Sequence, residues 1–230
     1  MNKSMMCGLA VLSLVVSQTA NANVISASVG GAPIGSSRIN FDNLALGPAG
    51  GTATGPNGSV DVSFIPDGQT VGGAVVNEYA APWLSGGNGS GFAAGGLDQA
   101  NGVDRTEYLT TGLGEAILNF GSDASLNYFG LLWGSIDNYN TLRFYYGNTL
   151  IDTVTGTDVF AGANGDQGMN GTMYVNIDTS AAFNRVVASS SQYAFEFDNV
   201  AYKSVPDGGM TFALLGMSLI SLSWLRRKLA

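Results

Sequence analysis

Residues 128–133 read YFGLLW and contain no charged side chain. A short apolar run of this kind is typical of a strand that is covered on both faces. Other segments alternate with a period of two, which predicts strands with one buried face. These segments are residues 60–65, 116–120, 142–146, 172–177 and 193–198. The pattern predicts an all-β fold, an antiparallel β-sandwich of jelly-roll-like type.

Glycine-rich and Asn/Asp-containing segments separate the predicted strands. Turns are predicted at residues 147–148, 156–158 and 162–171. Two further glycine-rich stretches, residues 47–58 and 86–96, are predicted to be long loops. A short segment near Asp98–Tyr108 is the single helical candidate between the two ends of the chain.

The first 22 residues have the pattern of a secretory signal peptide. Lys3 supplies the positive start, residues 8–16 are apolar, and Ala20 and Ala22 occupy the positions that a signal peptidase probes. We therefore expect cleavage between Ala22 and Asn23. The alternative is a buried N-terminal helix.

The last 26 residues contain three parts in a fixed order. The motif VPDGG occupies residues 205–209, an uncharged apolar span occupies 210–225, and a basic end occupies 226–230. Such a span would extend about 24 Å as a helix, which suits a single, temporary transmembrane anchor. The basic residues that follow it predict a cytoplasmic end. The chain is thus divided into a signal peptide (1–22), an exported β domain (23–204) and a tail (205–230).

The composition limits the chemistry of the exported domain. The chain has no His, and its one Cys, Cys7, lies in the predicted signal peptide. Imidazole bases, thiolate nucleophiles and thiolate zinc sites are therefore excluded, and we expect no enzyme. Residues 23–205 contain five basic and sixteen acidic residues, a net charge of −11. Such a surface repels nucleic acid, so we expect no nucleic-acid partner.

The tail resembles a PEP-CTERM sorting signal of the variant that begins Val-Pro-Asp. The resemblance implies recognition by an exosortase, a membrane cysteine protease of certain Gram-negative bacteria. Asp207 stands where the commonest form of the motif has Glu, and a plain tail anchor is the alternative interpretation. The residues that carry the resemblance are Val205, Pro206, Asp207, Gly208, Gly209, Arg226, Arg227 and Lys228.

Three segments of the domain also resemble exosortase-dependent surface proteins. They are residues 39–44 (INFDNL), 129–142 (FGLLWGSIDNYNTL) and 193–202 (YAFEFDNVAY). The resemblance implies a protein of the cell surface or extracellular matrix, with a structural or interaction role. It also implies signal peptidase and exosortase as processing enzymes, and transient contact with the inner membrane.

A mixture of aromatic and polar side chains follows the apolar run at 128–133. Trp133, Asp137, Asn138 and Tyr139 could together bind a sugar, since an aromatic ring stacks on the sugar while amides and carboxylates bind its hydroxyls. This predicts exopolysaccharide as a partner. The alternative is a structural corner, in which Asp137 and Asn138 form a turn.

Calcium is the one cofactor for which the sequence offers ligands. Asp166 and Asp198 are the candidates, because calcium prefers carboxylate, carbonyl and water oxygens. The segment around Asp166 lacks the repeated acidic spacing of an EF-hand. Solvated turn acids are the alternative, and we otherwise expect no metal or cofactor.

Overall fold

The computed structural model describes residues 25–93 and 98–204, and their regular secondary structure is almost entirely β-strand. The described part contains one short helix, α1 (Gly156–Val159). Its strands, in chain order, are β1 (Ile25–Val29), β2 (Ser37–Ile39), β3 (Gly51–Gly55), β4 (Gly58–Ile65), β5 (Gln69–Gly72), β6 (Trp83–Leu84), β7 (Gly102–Val103), β8 (Glu107–Thr110), β9 (Glu115–Asn119), β10 (Leu126–Gly134), β11 (Asn140–Tyr146), β12 (Thr149–Thr155), β13 (Met173–Phe183), β14 (Arg185–Ser190) and β15 (Glu196–Ser204).

The strands form two large antiparallel sheets and one small one. Sheet A has the order β1-β13-β10-β15-β8-β5, and β2 also pairs with β15. Sheet B has the order β12-β11-β14-β9-β4-β3, and β6 pairs with β7 separately. The predicted all-β class is confirmed.

One apolar core is shared by the two large sheets. Phe129 of sheet A meets Phe144 of sheet B with ring centroids 5.9 Å apart, in an edge-to-face arrangement. Phe195 and Phe197 belong to the same core and are fully buried, as the alternating pattern predicted. Two antiparallel sheets that enclose a common core are consistent with the predicted β-sandwich.

Strand β10 is covered on both faces, as its apolar sequence predicted. Leu131 faces the shared core, whereas Leu132 packs in a second cluster on the outer face of sheet A. Leu84 and Phe92 belong to that second cluster, and they come from residues 73–93 and 98–106, here named the covering segment. The part of the outer face of sheet A around Leu132 is therefore buried beneath this connection between β5 and β8.

Two local predictions were wrong. The helix expected near Asp98–Tyr108 is replaced by β7 and the start of β8, where Tyr108 and Leu109 point into different clusters. The loop expected at residues 47–58 contains β3, which pairs with β4 and buries Ala53. Strands β3, β7 and β8 contain few apolar residues, so no alternation stands out, and pairing with neighbours stabilises them.

The predicted signal peptide and its cleavage site lie outside the described residues. The same holds for the VPDGG motif, the apolar span and the basic end. Within residues 25–93 and 98–204, no helix is long and apolar enough to cross a membrane.

Candidate functional site

Trp133 is part of the core and is not exposed. Its side chain has 0% exposure, and its ring stacks on Phe195 with centroids 4.5 Å apart. The period of two along β10 explains this position, because Trp133 shares the inward face with Phe129 and Leu131. Trp133 therefore cannot offer a stacking surface to a sugar, and this part of the predicted site is wrong.

The other three predicted residues lie in the connection between β10 and β11, beside two different pockets. Asp137 lines a small pocket of about 290 Å³, and Asn138 lines a groove of about 670 Å³. Tyr139 contributes to both. The connection thus separates neighbouring side chains that the sequence placed in a single cluster.

The small pocket contains two buried carboxyl groups. Asp137 is 6% exposed, and burial raises its pKa above the ordinary value, partly offset by a hydrogen bond from Tyr139. Glu196 is 2% exposed, and burial raises its pKa as well, with the Asp137 carboxylate adding to the shift. The wall of the pocket also includes Tyr79 and Tyr193.

Both oxygens of Glu196 are occupied by protein donors. Its Oε1 accepts from the Ala80 N–H at 3.0 Å, and its Oε2 accepts from the Ser135 hydroxyl at 2.7 Å. Ser135 begins the connection after β10 and has a positive φ of 38°. Glu196 therefore ties this connection and the covering segment to β15.

Replacing Glu196 with glutamine should make the free energy of unfolding less dependent on pH. The pKa of Glu196 is higher in the folded chain than its ordinary value of 4.5, so stability falls as pH rises from about 4.5 through the folded-state pKa. Glutamine has no such proton to lose, and it can still accept from Ala80 and donate to Ser135.

Urea unfolding between about pH 4 and pH 8 measures this effect. Asp166→Asn is the control, since Asp166 is an exposed loop acid. Glu196→Gln should flatten the slope, and an equal slope in the two variants would contradict the prediction.

The groove lies on the outward face of sheet B. Its floor follows one row of cross-strand partners, which runs from Ile65 to Glu115, Ser189 and Thr141. Arg143 donates to the Ser189 hydroxyl at 3.1 Å and lies 3.6 Å from the Glu115 carboxylate. The hydroxyl, guanidinium and carboxylate groups of this floor are therefore held in place by each other.

Asn138 and Tyr139 form part of the wall of the groove. Asn138 is exposed and Tyr139 is partly exposed, and the Tyr139 hydroxyl also donates to Asp137 of the small pocket. Together with the floor they offer amide, phenol, hydroxyl and charged groups, which suit a ligand rich in hydroxyls. The floor could not be predicted from the sequence, because its residues come from four separate strands.

The two predicted calcium ligands lie in different environments. Asp166 is exposed in the loop before β13, where it accepts from the Gly168 N–H at 2.8 Å. Asp198 is buried in β15 beside Asp104, and Asp42 adds to the electrostatic field there. Among the described residues, no group of three or more Asp or Glu side chains is already arranged to hold a metal ion. Asp42 and Asp104 were not predicted to lie beside Asp198, because the three residues lie far apart in the sequence.

No family model matches the chain, and no curated protein or solved structure is significantly similar to it. Support for a function therefore comes from the chain's own residues.

Proposed function

We propose that this is an exported bacterial surface protein, processed at its C-terminal sorting signal by an exosortase, with a structural or interaction role. The observation that carries the proposal is the three-part tail at residues 205–230. The described strand β15 reaches Ser204, directly before Val205. A cut within residues 205–209 would therefore leave every described strand intact.

The finer architecture is part of the same proposal. A jelly-roll-like sandwich is supported by the two antiparallel sheets and their shared core. A signal peptide at 1–22 and a single transmembrane helix at 210–225 are supported by the two apolar spans. Cell-surface or extracellular localisation after processing follows from this arrangement.

A role without catalysis is supported by the composition and by the groove. The chain has no His, and its one Cys lies in the predicted signal peptide, so the exported domain offers no imidazole or thiolate base. A glycosidase needs two carboxyl groups that act on opposite sides of the bond to be cut. The groove supplies one carboxylate, Glu115, and it lies beside Arg143.

Intact mass of the protein from its native host tests the sorting proposal. Membrane and released fractions would be measured separately. We expect a released species that begins at Asn23 and ends within residues 205–209. A complete C terminus found in the membrane fraction alone would contradict the proposal and favour a tail anchor.

A second candidate function is carbohydrate binding in the groove. The groove has a volume of about 670 Å³, which is within the usual range for small-ligand sites. Tyr139 takes the place of the buried Trp133 as the aromatic group, and Asn138, Arg143 and Ser189 supply hydrogen-bonding groups. The strong acidity of the domain favours a neutral polysaccharide over an anionic one.

Replacing Tyr139 with alanine should weaken binding of a neutral exopolysaccharide by roughly tenfold, because the ring and its phenol are both lost. Affinity would be measured by titrating the polysaccharide against the full chain. Tyr146→Ala is the matched control, since Tyr146 is 45% exposed and lines neither the groove nor the small pocket. Equal loss in both variants, or wild-type affinity in Tyr139→Ala, would remove the groove as the binding site.

A further inference from the structure

Two carboxyl groups, Asp104 and Asp198, are in contact on the outer face of sheet A beneath the covering segment, and Asp42 lies near them. Asp198 lies in β15 next to the core residue Phe197, so its side chain points to the opposite face of the sheet. Asp42 follows β2, and Asp104 precedes β8. Since β2 and β8 both pair with β15, the topology brings the three acids together.

Each of these carboxylates has one oxygen bound to protein. Asp42 accepts from the Asn40 amide at 2.6 Å. Asp104 accepts from the N–H and hydroxyl of Thr106, at 3.0 Å and 2.8 Å. Asp198 receives a hydrogen bond from the backbone of Asn199.

The second oxygen of each carboxylate is buried and has no hydrogen-bond donor. These atoms are Asp42 Oδ1, Asp104 Oδ2 and Asp198 Oδ1. Asp104 is 3% exposed and Asp198 is 1% exposed, so neither carboxylate is open to bulk water that could donate to these atoms. A buried polar atom without a hydrogen-bond partner lowers the stability of the folded chain. The carboxyl groups of Asp104 and Asp198 lie within hydrogen-bonding reach of each other, which indicates that they share a positive ligand.

The electrostatics of the cluster agree with this geometry. Burial, followed by the charge of Asp104, raises the pKa of Asp198 well above its ordinary value. Burial also raises the pKa of Asp42. Hydrogen bonds from Thr106 and Asn40 partly offset that shift, and the charges of Glu107 and Asp104 add to it. No basic side chain contributes to either shift. Two carboxylates in contact cannot both stay ionised in a buried site unless a proton or a cation lies between them.

We propose that Asp104 and Asp198 bind a calcium ion, with Asp42 as the third carboxylate ligand. The available ligands are oxygens, which suit a hard cation, and calcium accepts the irregular geometry that these three chain segments would provide. The described acids are not already spaced as a complete metal site, so Asp42 has to move toward the pair on binding. Further oxygen ligands, from backbone carbonyls or water, would complete the coordination.

Calcium at this position would connect β2, β15 and the end of the covering segment. The ion would offset the repulsion between the carboxylates and would also provide a partner for the three unpaired oxygen atoms. It would therefore stabilise the folded chain in proportion to its binding. This inference is independent of the groove and of the sorting tail.

Thermal unfolding of the full chain tests the proposal. The protein is stripped with a chelator and then measured near neutral pH with about 10 mM CaCl₂, a concentration above the dissociation constants usual for extracellular calcium modules. The controls are MgCl₂ at the same concentration and NaCl at equal ionic strength. We expect calcium to raise the Tm by roughly 4 °C, magnesium to raise it less, and NaCl to leave it unchanged.

Two substitutions locate the effect. Asp198→Asn should abolish the calcium response and should match or exceed the wild-type Tm in chelator, because it removes a buried negative charge. Asp104→Asn serves the same purpose where the first variant fails to fold. Asp166→Asn, in an exposed loop, should keep the full response. Equal Tm values in calcium and NaCl, or a wild-type response in Asp198→Asn or Asp104→Asn, would overturn the proposal and leave a shared proton as the ligand of the pair.

Discussion

Replacing Trp133 with alanine is expected to lower the free energy of unfolding by about 3–5 kcal/mol. The side chain has no exposed surface, stacks on Phe195 and lies in the core shared by both sheets. Alanine would leave a large cavity between two sheets whose backbones are fixed by hydrogen bonds to neighbouring strands, so the space cannot collapse fully. Such a loss is a large share of the stability of an ordinary domain.

Urea unfolding measures this loss as a lower transition midpoint at unchanged slope. Tyr146→Ala is the control, because its half-exposed ring should cost about 0.5 kcal/mol or less. Trp133→Phe should cost clearly less than Trp133→Ala, since it keeps an aromatic ring and removes an indole Nε1–H that is buried without a partner. A Trp133→Ala variant as stable as Tyr146→Ala would show that the indole is not a core residue.

Replacing Pro206 and Asp207 together with alanine should stop nearly all C-terminal processing. On the sorting proposal, Pro206 keeps the recognition segment extended and Asp207 provides a contact for the exosortase. The precursor should then stay in the membrane fraction with its tail intact. Immunoblots against an N-terminal epitope, with intact masses of both fractions, would measure the distribution.

The chain contains a matched control for this experiment. The same tripeptide, Pro-Asp-Gly, occurs at residues 66–68, in the turn between β4 and β5. There Asp67 has a positive φ of 84° and accepts from the Leu113 N–H at 2.8 Å. Asp67→Asn should leave processing unchanged, because this copy is folded into a turn. Normal release of the Pro206/Asp207 variant would contradict the sorting proposal.

The strands that the sequence predicted well are those with several strongly apolar residues on one face. Strands β4, β9, β10, β11 and β13 each carry such a pattern. The strands that were not predicted are β1, β2, β3, β5, β6, β7, β8, β12 and β14. In β3 and β8, for example, glycine, threonine and one or two apolar residues carry no clear period. Their existence depends on the neighbouring strands, which local sequence does not reveal.

The candidate site was predicted only in part. Asn138 and Tyr139 do line a groove, whereas Trp133 is buried. Trp133 was assigned to the site because it is aromatic and lies near polar residues in sequence, and its position in the period of two along β10 was not used. The inward side of β10 was already implied by Phe129 and Leu131, which have the same parity. The acids around Asp198 were beyond prediction, since only strand pairing brings them together. The signal peptide and sorting tail stay predictions from sequence.

The position of β15 has a consequence for the timing of export. This strand, the last in the described chain, lies in the middle of sheet A and pairs with β10, β8 and β2. Sheet A cannot be completed until β15, which ends at residue 204, is in the same compartment as β2, which begins at residue 37. Pairings between such distant segments also form slowly. On the proposed route, translocation therefore finishes while sheet A is still incomplete, and the membrane-held tail keeps the chain in place until β15 pairs.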